Sequence, residues 1–164
     1  MRDNHFIRAV YPIDGELIRY LYNILYRIGY DFTFEEFLSC IGDMYIYSDD
    51  CGLIYEQHPK VYGIIAAKRV PSLEYPIYNT KNVIKVFHIF RYYDETLYED
   101  IAYHLLDILT IDNNDIPMEL TISLDDELFI EHRNILEVAF AKNNFSIKST
   151  DDNSITYYRL PVIK

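Results

Sequence analysis

The chain has 164 residues and a formal charge of −11, from 15 basic and 26 acidic side chains. This length predicts one domain spanning residues 1–164, with a core large enough to fold without disulfide or metal staples. The acidic balance argues against a nucleic-acid partner, because binding a phosphate backbone requires clustered Lys and Arg. A membrane partner is also not expected, since no apolar run approaches the roughly 20 residues that span a bilayer.

The N-terminal stretch MRDNHFIRAV lacks the apolar core and small-residue cleavage site of a secretory signal. The two cysteines, Cys40 and Cys51, are compatible with a reducing compartment and do not have metal-site spacing. These features predict a cytoplasmic protein without a metal site.

In chain order, the sequence begins with a short strand, His5–Val10, and a turn. Apolar residues at helical spacing then predict a helix over Gly15–Ile28, which Gly29 is expected to end. Thr33 followed by Glu36 forms a capping-box pattern that predicts a second helix over Phe34–Ile41.

The middle of the chain is rich in Tyr, Ile and Val, and predicts four strands separated by turns and by a loop over Pro71–Asn82. The last of these strands is apolar on both faces apart from Lys85 and His88, which is typical of a central position in a sheet. The predicted strands are Met44–Tyr47, Leu53–Glu56, Val61–Val70 and Val83–Phe90.

The second half predicts alternating helices and strands, followed by a final strand pair. The segments are a helix over Thr96–Leu109, a strand over Met118–Leu124, a long helix over Asp125–Asn143, and strands over Phe145–Ser149 and Ile155–Leu160. This order predicts an α/β (α+β) domain with a mixed, mostly antiparallel sheet of six to seven strands and about four helices.

This element order resembles the GNAT superfamily of acetyl-CoA-dependent N-acetyltransferases. The segments NVIKVFHIF and MELTISL resemble the family's fourth and fifth strands, and ETLYEDIAYHLLDIL resembles the helix between them. The helix NILEVAFAKNNFSI, the last strand SITYYRL, and more loosely FIRAVYPID and VYGIIAAKRV, complete the likeness.

The resemblance implies a V-shaped opening between the fourth and fifth strands for the coenzyme's pantetheine arm. It also implies that the pyrophosphate lies at the start of the helix near Thr96. Aligning the family's Gln/Arg-x-x-Gly-x-Gly/Ala motif there puts Leu97 at the Gln/Arg position, Asp100 at the first glycine and Ala102 at the second. Phe90 and Ile101 complete the coenzyme-binding positions that the resemblance implies.

These positions depart from the motif, because only Ala102 matches it. Thr96 and Glu99 have capping-box spacing, so the amides that a phosphate needs are predicted to be occupied within the chain. Acidic side chains at a helix start also repel phosphate. The position of the tyrosine that often protonates the departing thiolate is occupied by Phe140, which has no proton to donate. No cofactor is therefore expected.

If the chain is nevertheless an enzyme, its catalytic base is expected to be His88 or Glu56, with Glu74 as a third candidate. His88 is more simply interpreted as a hydrogen-bonded core histidine. The consecutive acids Asp125, Asp126 and Glu127 favour helix capping over metal binding, because consecutive side chains on a helix start point in different directions.

Two hypotheses about function follow, with an unrelated α/β binding domain as a third. The first is a divergent GNAT-fold protein without efficient acetyl transfer that acts by protein contact, in a regulatory, immunity or host-interaction role. Its partner is a protein or a second copy of the chain bound through tyrosines, or a basic peptide or polyamine drawn by the negative charge. The second is an atypical acetyl-CoA-dependent N-acetyltransferase acting on a basic amine or peptide. The tyrosines concerned are Tyr20, Tyr22, Tyr26, Tyr30, Tyr92 and Tyr93.

Overall fold

The computed structural model describes residues 6–9, 15–41, 51–57, 60–90, 97–112 and 115–161. These residues form seven strands and five helices. The predicted strand Met44–Tyr47 and the predicted turn Pro12–Asp14 lie outside the described residues. The elements are β1 (Phe6–Ala9), α1 (Gly15–Arg27), α2 (Phe34–Ile41), β2 (Cys51–Gln57), β3 (Lys60–Pro71), β4 (Thr80–Ile89), α3 (Leu97–Asp112), β5 (Met118–Ser123), α4 (Glu127–Glu131), α5 (Arg133–Lys142), β6 (Ser146–Thr150) and β7 (Ser154–Arg159).

The seven strands form one sheet in the order β1-β2-β3-β4-β5-β7-β6. Neighbouring strands are antiparallel except for β4 and β5, which are parallel. This arrangement confirms the predicted mixed, mostly antiparallel sheet and the central position of the Val83–Phe90 strand. In α2, the predicted capping box is also present: the Glu36 amide donates to the Thr33 hydroxyl at 3.1 Å, and the Thr33 amide donates to the Glu36 carboxylate at 3.3 Å.

The two faces of the sheet are covered by different helices, because successive side chains of a strand point to opposite faces. One face packs against α3, α4 and α5, and the other against α1 and α2. On β3, for example, Ile65 and Ala67 belong to the first core, while Ile64 and Ala66 belong to the second. No helix of the described residues is long and apolar enough to cross a membrane.

Two predicted segments, a loop and a long helix, differ from the structure. The predicted loop over Pro71–Asn82 is shorter, because β3 and β4 pair from Pro71 and Thr80 onwards. The remaining connection closes with a hydrogen bond from the Ser72 amide to the Asn79 carbonyl at 2.9 Å, and Asn79 takes a φ of 60°. Asparagine tolerates this left-handed conformation better than most residues, so it suits the end of the turn.

The predicted long helix over Asp125–Asn143 is two helices, α4 and α5. They are separated by His132, whose φ of −116° and ψ of 21° are not helical. The His132 ring is buried and lies edge-on against the Tyr98 ring of α3, with 4.4 Å between the ring centroids. The apolar spacing of this segment did not indicate the break, because His132 interrupts the helix through its packing against another element.

Candidate functional site

A cleft opens where β4 and β5 separate. The two strands pair over three residues only, from Asn82 opposite Met118 to Ile84 opposite Leu120. The pairing ends where β4 carries a bulge: Ile84 and Val86 have successive partners on β3, and Lys85 between them has none. A bulge bends its strand and increases the local twist. It therefore accounts for the divergence of β4 from β5.

The cleft has a volume of about 820 Å³ and is lined by β4, β5, α4 and the end of α1. This volume lies within the range of about 300–1,000 Å³ that is usual for small-ligand sites. The structure therefore has an opening between the fourth and fifth strands, where the resemblance implies one.

The backbone of β4 presents hydrogen-bonding groups to this cleft. The Phe90 amide donates to the Tyr62 carbonyl of β3 at 2.9 Å, so Phe90 bonds on the β3 side. Because backbone groups alternate between the two edges of a strand, those of Phe87 and Ile89 point to the cleft side. The Phe87 carbonyl accepts a hydrogen bond of 2.8 Å from the Tyr30 hydroxyl, which agrees with this orientation.

The predicted base His88 lines the cleft and is half-buried. Its ring lies edge-on to the rings of Phe90 and Tyr30, with centroid distances of 4.9 Å and 6.3 Å. Burial lowers the pKa of His88, and the negative charge of Asp126 opposes this effect without reversing it. The imidazole is therefore neutral at pH 7 and is able to accept a proton.

The other two candidate bases do not line this cleft. Glu56 is buried in β2. Glu74 lies in the connection between β3 and β4, where it forms ion pairs with Lys81 and Lys148. Of the three candidates, His88 is the one that lines the cleft.

The predicted coenzyme positions are divided between the cleft and the helix behind it. Phe90 lines the cleft. Ile101 and Ala102 are fully buried in the core beneath α3, and Leu97 packs against that core. Thr96 lies outside the described residues, and so does its part of the predicted capping box.

The two acids at the start of α3 are held by other side chains. Asp100 accepts a 3.0 Å hydrogen bond from the Tyr55 hydroxyl on β2, and its second carboxylate oxygen lies 3.3 Å from Nδ1 of His104. The Asp100 side chain is 14% exposed. Glu99 forms a 2.6 Å ion pair with Lys142 of α5, and this pair partly offsets the negative charge of Glu99.

Phe140 is 1% exposed and packs against the rings of Phe87 and Tyr157, with centroid distances of 5.7 Å and 4.9 Å. Tyr157 does not replace the missing tyrosine, because its hydroxyl donates to Glu137 at 2.9 Å. Burial and that carboxylate both raise the pKa of Tyr157. The Tyr157 hydroxyl therefore stays protonated at neutral pH, with its hydrogen directed to Glu137.

Asp125, Asp126 and Glu127 all line the cleft. Asp126 caps α4, as predicted for this acidic run, by accepting a 3.1 Å hydrogen bond from the Phe129 amide. The same carboxylate is the charge that raises the pKa of His88. Sequence reasoning missed this second role, because 38 residues separate the two positions and no local pattern relates them.

No protein-family model and no curated protein sequence matches this chain. Many solved structures are similar to it, and three acetyltransferases among them match over nearly their full length. A GNAT-family acetyltransferase from Streptococcus pneumoniae is 13% identical with a TM-score of 0.64, and the match covers 96% of this chain and 99% of that one. The ribosomal-protein-S18-alanine N-acetyltransferase from Escherichia coli is 13% identical with a TM-score of 0.61, over 98% and 96%.

The third similar structure is Arabidopsis thaliana NAA60 in complex with acetyl-CoA, at 12% identity and a TM-score of 0.62, over 95% of this chain and 99% of that one. These similarities, together with the sheet order and the separation of β4 from β5, show that the chain has the GNAT fold. The cleft and the start of α3 differ in how well they fit a coenzyme. The cleft suits an extended arm, whereas the carboxylate of Asp100 at the start of α3 does not suit a pyrophosphate.

Proposed function

We propose that this chain is a GNAT-fold binding protein that has lost efficient acetyl transfer from acetyl-CoA and acts through contact with a protein partner. The observation that carries this proposal is the position of Asp100. This residue takes the motif's first glycine position. A hydrogen bond from the Tyr55 hydroxyl holds its carboxylate near the start of α3, with Nδ1 of His104 3.3 Å from the second carboxylate oxygen.

The strength of this repulsion depends on whether the Asp100 carboxylate is able to turn away into solvent. Two unit charges about 5 Å apart at an effective dielectric of about 20 repel by roughly 3 kcal/mol. Micromolar binding of a coenzyme corresponds to about 8 kcal/mol. An exposed side chain would rotate outward and be screened, but Asp100 is mostly buried and tethered to β2. The repulsion therefore remains in the folded protein.

A basic partner is favoured both by the net negative charge of the chain and by acidic side chains at the cleft. The whole chain carries −11, and the α4 side of the cleft presents Asp125, Asp126 and Glu127. Exposed aromatic side chains supply contact area as well: Tyr20 and Tyr26 on α1 are both about 60% exposed. A cationic peptide or a polyamine is the ligand chemistry that suits these features.

Calorimetric titration with acetyl-CoA tests the loss of coenzyme binding. We expect no binding tighter than high micromolar for the wild-type protein. Asp100→Asn keeps the shape of the side chain and removes its charge, so we expect at least a tenfold gain in affinity. The matched control Asp107→Asn removes the same charge about 10 Å further along α3 and should leave the affinity unchanged. A wild-type dissociation constant of a few micromolar, or equal affinities for Asp100→Asn and the wild type, would refute the proposal.

A second candidate, an active N-acetyltransferase for a basic amine, is favoured by the location of His88. A neutral imidazole in the cleft has the protonation state needed to accept a proton from an ammonium substrate. When bound, acetyl-CoA would supply the acyl group, and Phe90 with the β4 backbone would hold the pantetheine arm. Thiol release from acetyl-CoA in the presence of spermidine or a lysine-rich peptide tests this function. Turnover that is lost in His88→Gln would establish it, and turnover that this variant retains would exclude His88 as the base.

A further inference from the structure

The position of Tyr30 is fixed by the end of α1. The Tyr30 amide donates to the Leu25 carbonyl at 3.0 Å, and the Gly29 amide donates to the Tyr26 carbonyl at 3.2 Å. This pair of hydrogen bonds is a Schellman motif, and Gly29 has the positive φ, 112°, that the motif requires. The backbone therefore delivers the Tyr30 side chain into the cleft with little freedom.

The hydroxyl of Tyr30 uses a backbone group that is not paired with any strand among the described residues. Past the bulge at Lys85, the edge of β4 that faces β5 has no strand partner in the part of the chain that the structure describes. The Tyr30 hydroxyl donates to the Phe87 carbonyl on that edge at 2.8 Å, across 57 residues of sequence. Rings of Phe32 and His88 lie at 5.7 Å and 6.3 Å from the Tyr30 ring and restrict its rotation. The contact thus belongs to an ordered aromatic group.

We propose that Tyr30 is a specificity-determining residue of the cleft, which closes the open edge of β4 by hydrogen bonding to the Phe87 carbonyl. A ligand that lies along β4 in an extended conformation has to displace this hydroxyl and donate to the same carbonyl. A ligand without an N–H donor at that point would leave the carbonyl unpaired, which is costly in a buried site.

The class of ligand selected in this way has amide groups on an extended chain. A peptide segment and an amide-containing arm such as pantetheine both have this chemistry. Extended peptides are known to bind strand edges through main-chain hydrogen bonds. Esters and hydrocarbon chains of similar size lack an N–H donor. This inference rests on the cleft being a ligand site, as the proposed function assumes, but it does not depend on the phosphate end at Asp100.

Pantetheine is a suitable probe because it contains amides and no phosphate. Its binding is therefore insensitive to the repulsion by Asp100, and a failure of the acetyl-CoA prediction would not affect this experiment. Tyr30→Phe keeps the ring and removes the hydroxyl. We expect it to bind pantetheine about three- to tenfold more tightly than the wild type, because the competing hydrogen bond is worth about that much.

Tyr22→Phe is the matched control. The Tyr22 hydroxyl also donates to a backbone carbonyl, that of Phe32, at 3.0 Å, but Tyr22 does not line the cleft. We expect its pantetheine affinity to equal that of the wild type. If Tyr30→Phe binds no more tightly than Tyr22→Phe, or if pantetheine binds neither the wild type nor Tyr30→Phe, the proposal is wrong.

A measurement on the wild-type protein covers the case in which Tyr30→Phe does not fold. Addition of pantetheine should shift the carbonyl carbon resonance of Phe87 and the phenolic carbon resonance of Tyr30 together, with one binding curve. The Phe32 carbonyl, bonded to Tyr22, should not move. A titration in which Phe87 and Tyr30 stay unchanged, or shift with different midpoints, would overturn the assignment.

Discussion

Gly63 on β3 lies directly beneath Ile101 on α3, and a Cβ at Gly63 would stand 2.8 Å from the Ile101 Cγ2 atom. The same Cβ would lie 3.1 Å from a Leu105 methyl group. The lack of a side chain therefore lets α3 pack closely on the sheet. Since α3 begins at the candidate coenzyme end, Gly63 also fixes the depth at which Asp100 lies.

We predict that Gly63→Ala destabilises the protein by about 2 kcal/mol, because overpacking a core usually costs about 1–3 kcal/mol. For a chain of this size, that change lowers the melting temperature by about 4–8 °C. Gly15→Ala is the control: it adds the same methyl group at a site with nothing within 4 Å and should not destabilise. Thermal unfolding followed by circular dichroism measures both. Equal melting temperatures for Gly63→Ala and the wild type would show that α3 shifts without cost.

An ionic network joins the connection between β3 and β4 to strands β5 and β6. Glu119 on β5 accepts hydrogen bonds from Lys148 at 2.5 Å, Tyr75 at 2.7 Å and Lys81 at 3.0 Å. Burial raises the pKa of Glu119, but these three donors together outweigh it and lower the pKa below the usual 4.5. The ionised carboxylate therefore stabilises the folded state.

We predict that Glu119→Gln destabilises the protein by about 2 kcal/mol at pH 7, since removing one member of a buried ionic group leaves its partners uncompensated. A carboxylate with a lowered pKa stabilises above its unfolded value and loses this contribution as the pH falls through its folded value. The difference in the free energy of unfolding between Glu119→Gln and the wild type should thus become smaller below about pH 4. Urea unfolding at pH 7 and pH 3 measures it, with Asp152→Asn as an exposed control. A difference that is independent of pH would contradict the prediction.

Arg159 on β7 is 6% exposed, and its Nε and Nη1 atoms have no hydrogen-bond partner among the described residues. Burial lowers the pKa of its guanidinium. Replacing a poorly compensated buried charge by an apolar residue of similar volume often stabilises a protein. We predict that Arg159→Met raises the free energy of unfolding by about 1–2 kcal/mol, measured by urea denaturation.

The control for Arg159 is Arg133→Met. Arg133 is partly exposed and forms a 3.1 Å ion pair with Glu137, so its replacement should be neutral or slightly destabilising. If Arg159→Met is less stable than the wild type, the guanidinium has a compensating interaction in the folded protein.

The sequence predicts the fold well because its strongest signals are local. The capping box at Thr33 and Glu36 and the apolar run of β4 each reflect one element and its immediate surroundings. The break at His132 depends on a ring contact with α3, and the bulge at Lys85 on the register against β3. Such features arise from tertiary packing, and a single sequence has no pattern that reports them.

The candidate site is less predictable for the same reason. His88 could be singled out from its residue type on a central strand, but its pKa depends on Asp126 and on burial. The hydrogen bond from Tyr30 to Phe87 joins a helix end to a strand far along the chain. The sequence indicates Gly29 as a helix stop, and this is the one local signal that bears on where the Tyr30 side chain goes.

The titration of His88 is expected to report the electrostatics of the cleft. Burial lowers its pKa below the usual 6.5, and Asp126 raises it by a smaller amount. Asp126→Asn removes the charge but retains a good helix cap, so it should lower the pKa of His88 further. Because the folded state disfavours the charged imidazole, His88 should also make the protein less stable as the pH falls below 6.5.

NMR titration of the His88 Hε1 resonance measures the first effect, with Asp152→Asn as a remote control that should leave the midpoint unchanged. For the second, the free energy of unfolding of His88→Gln should fall less between pH 7 and pH 5 than that of the wild type. A midpoint that rises in Asp126→Asn would mean that the Asp126 charge does not raise the pKa of His88. A wild-type midpoint above 6.5 would mean that burial does not dominate, and the imidazole would then be charged near neutral pH and unsuited to accept a proton from an amine.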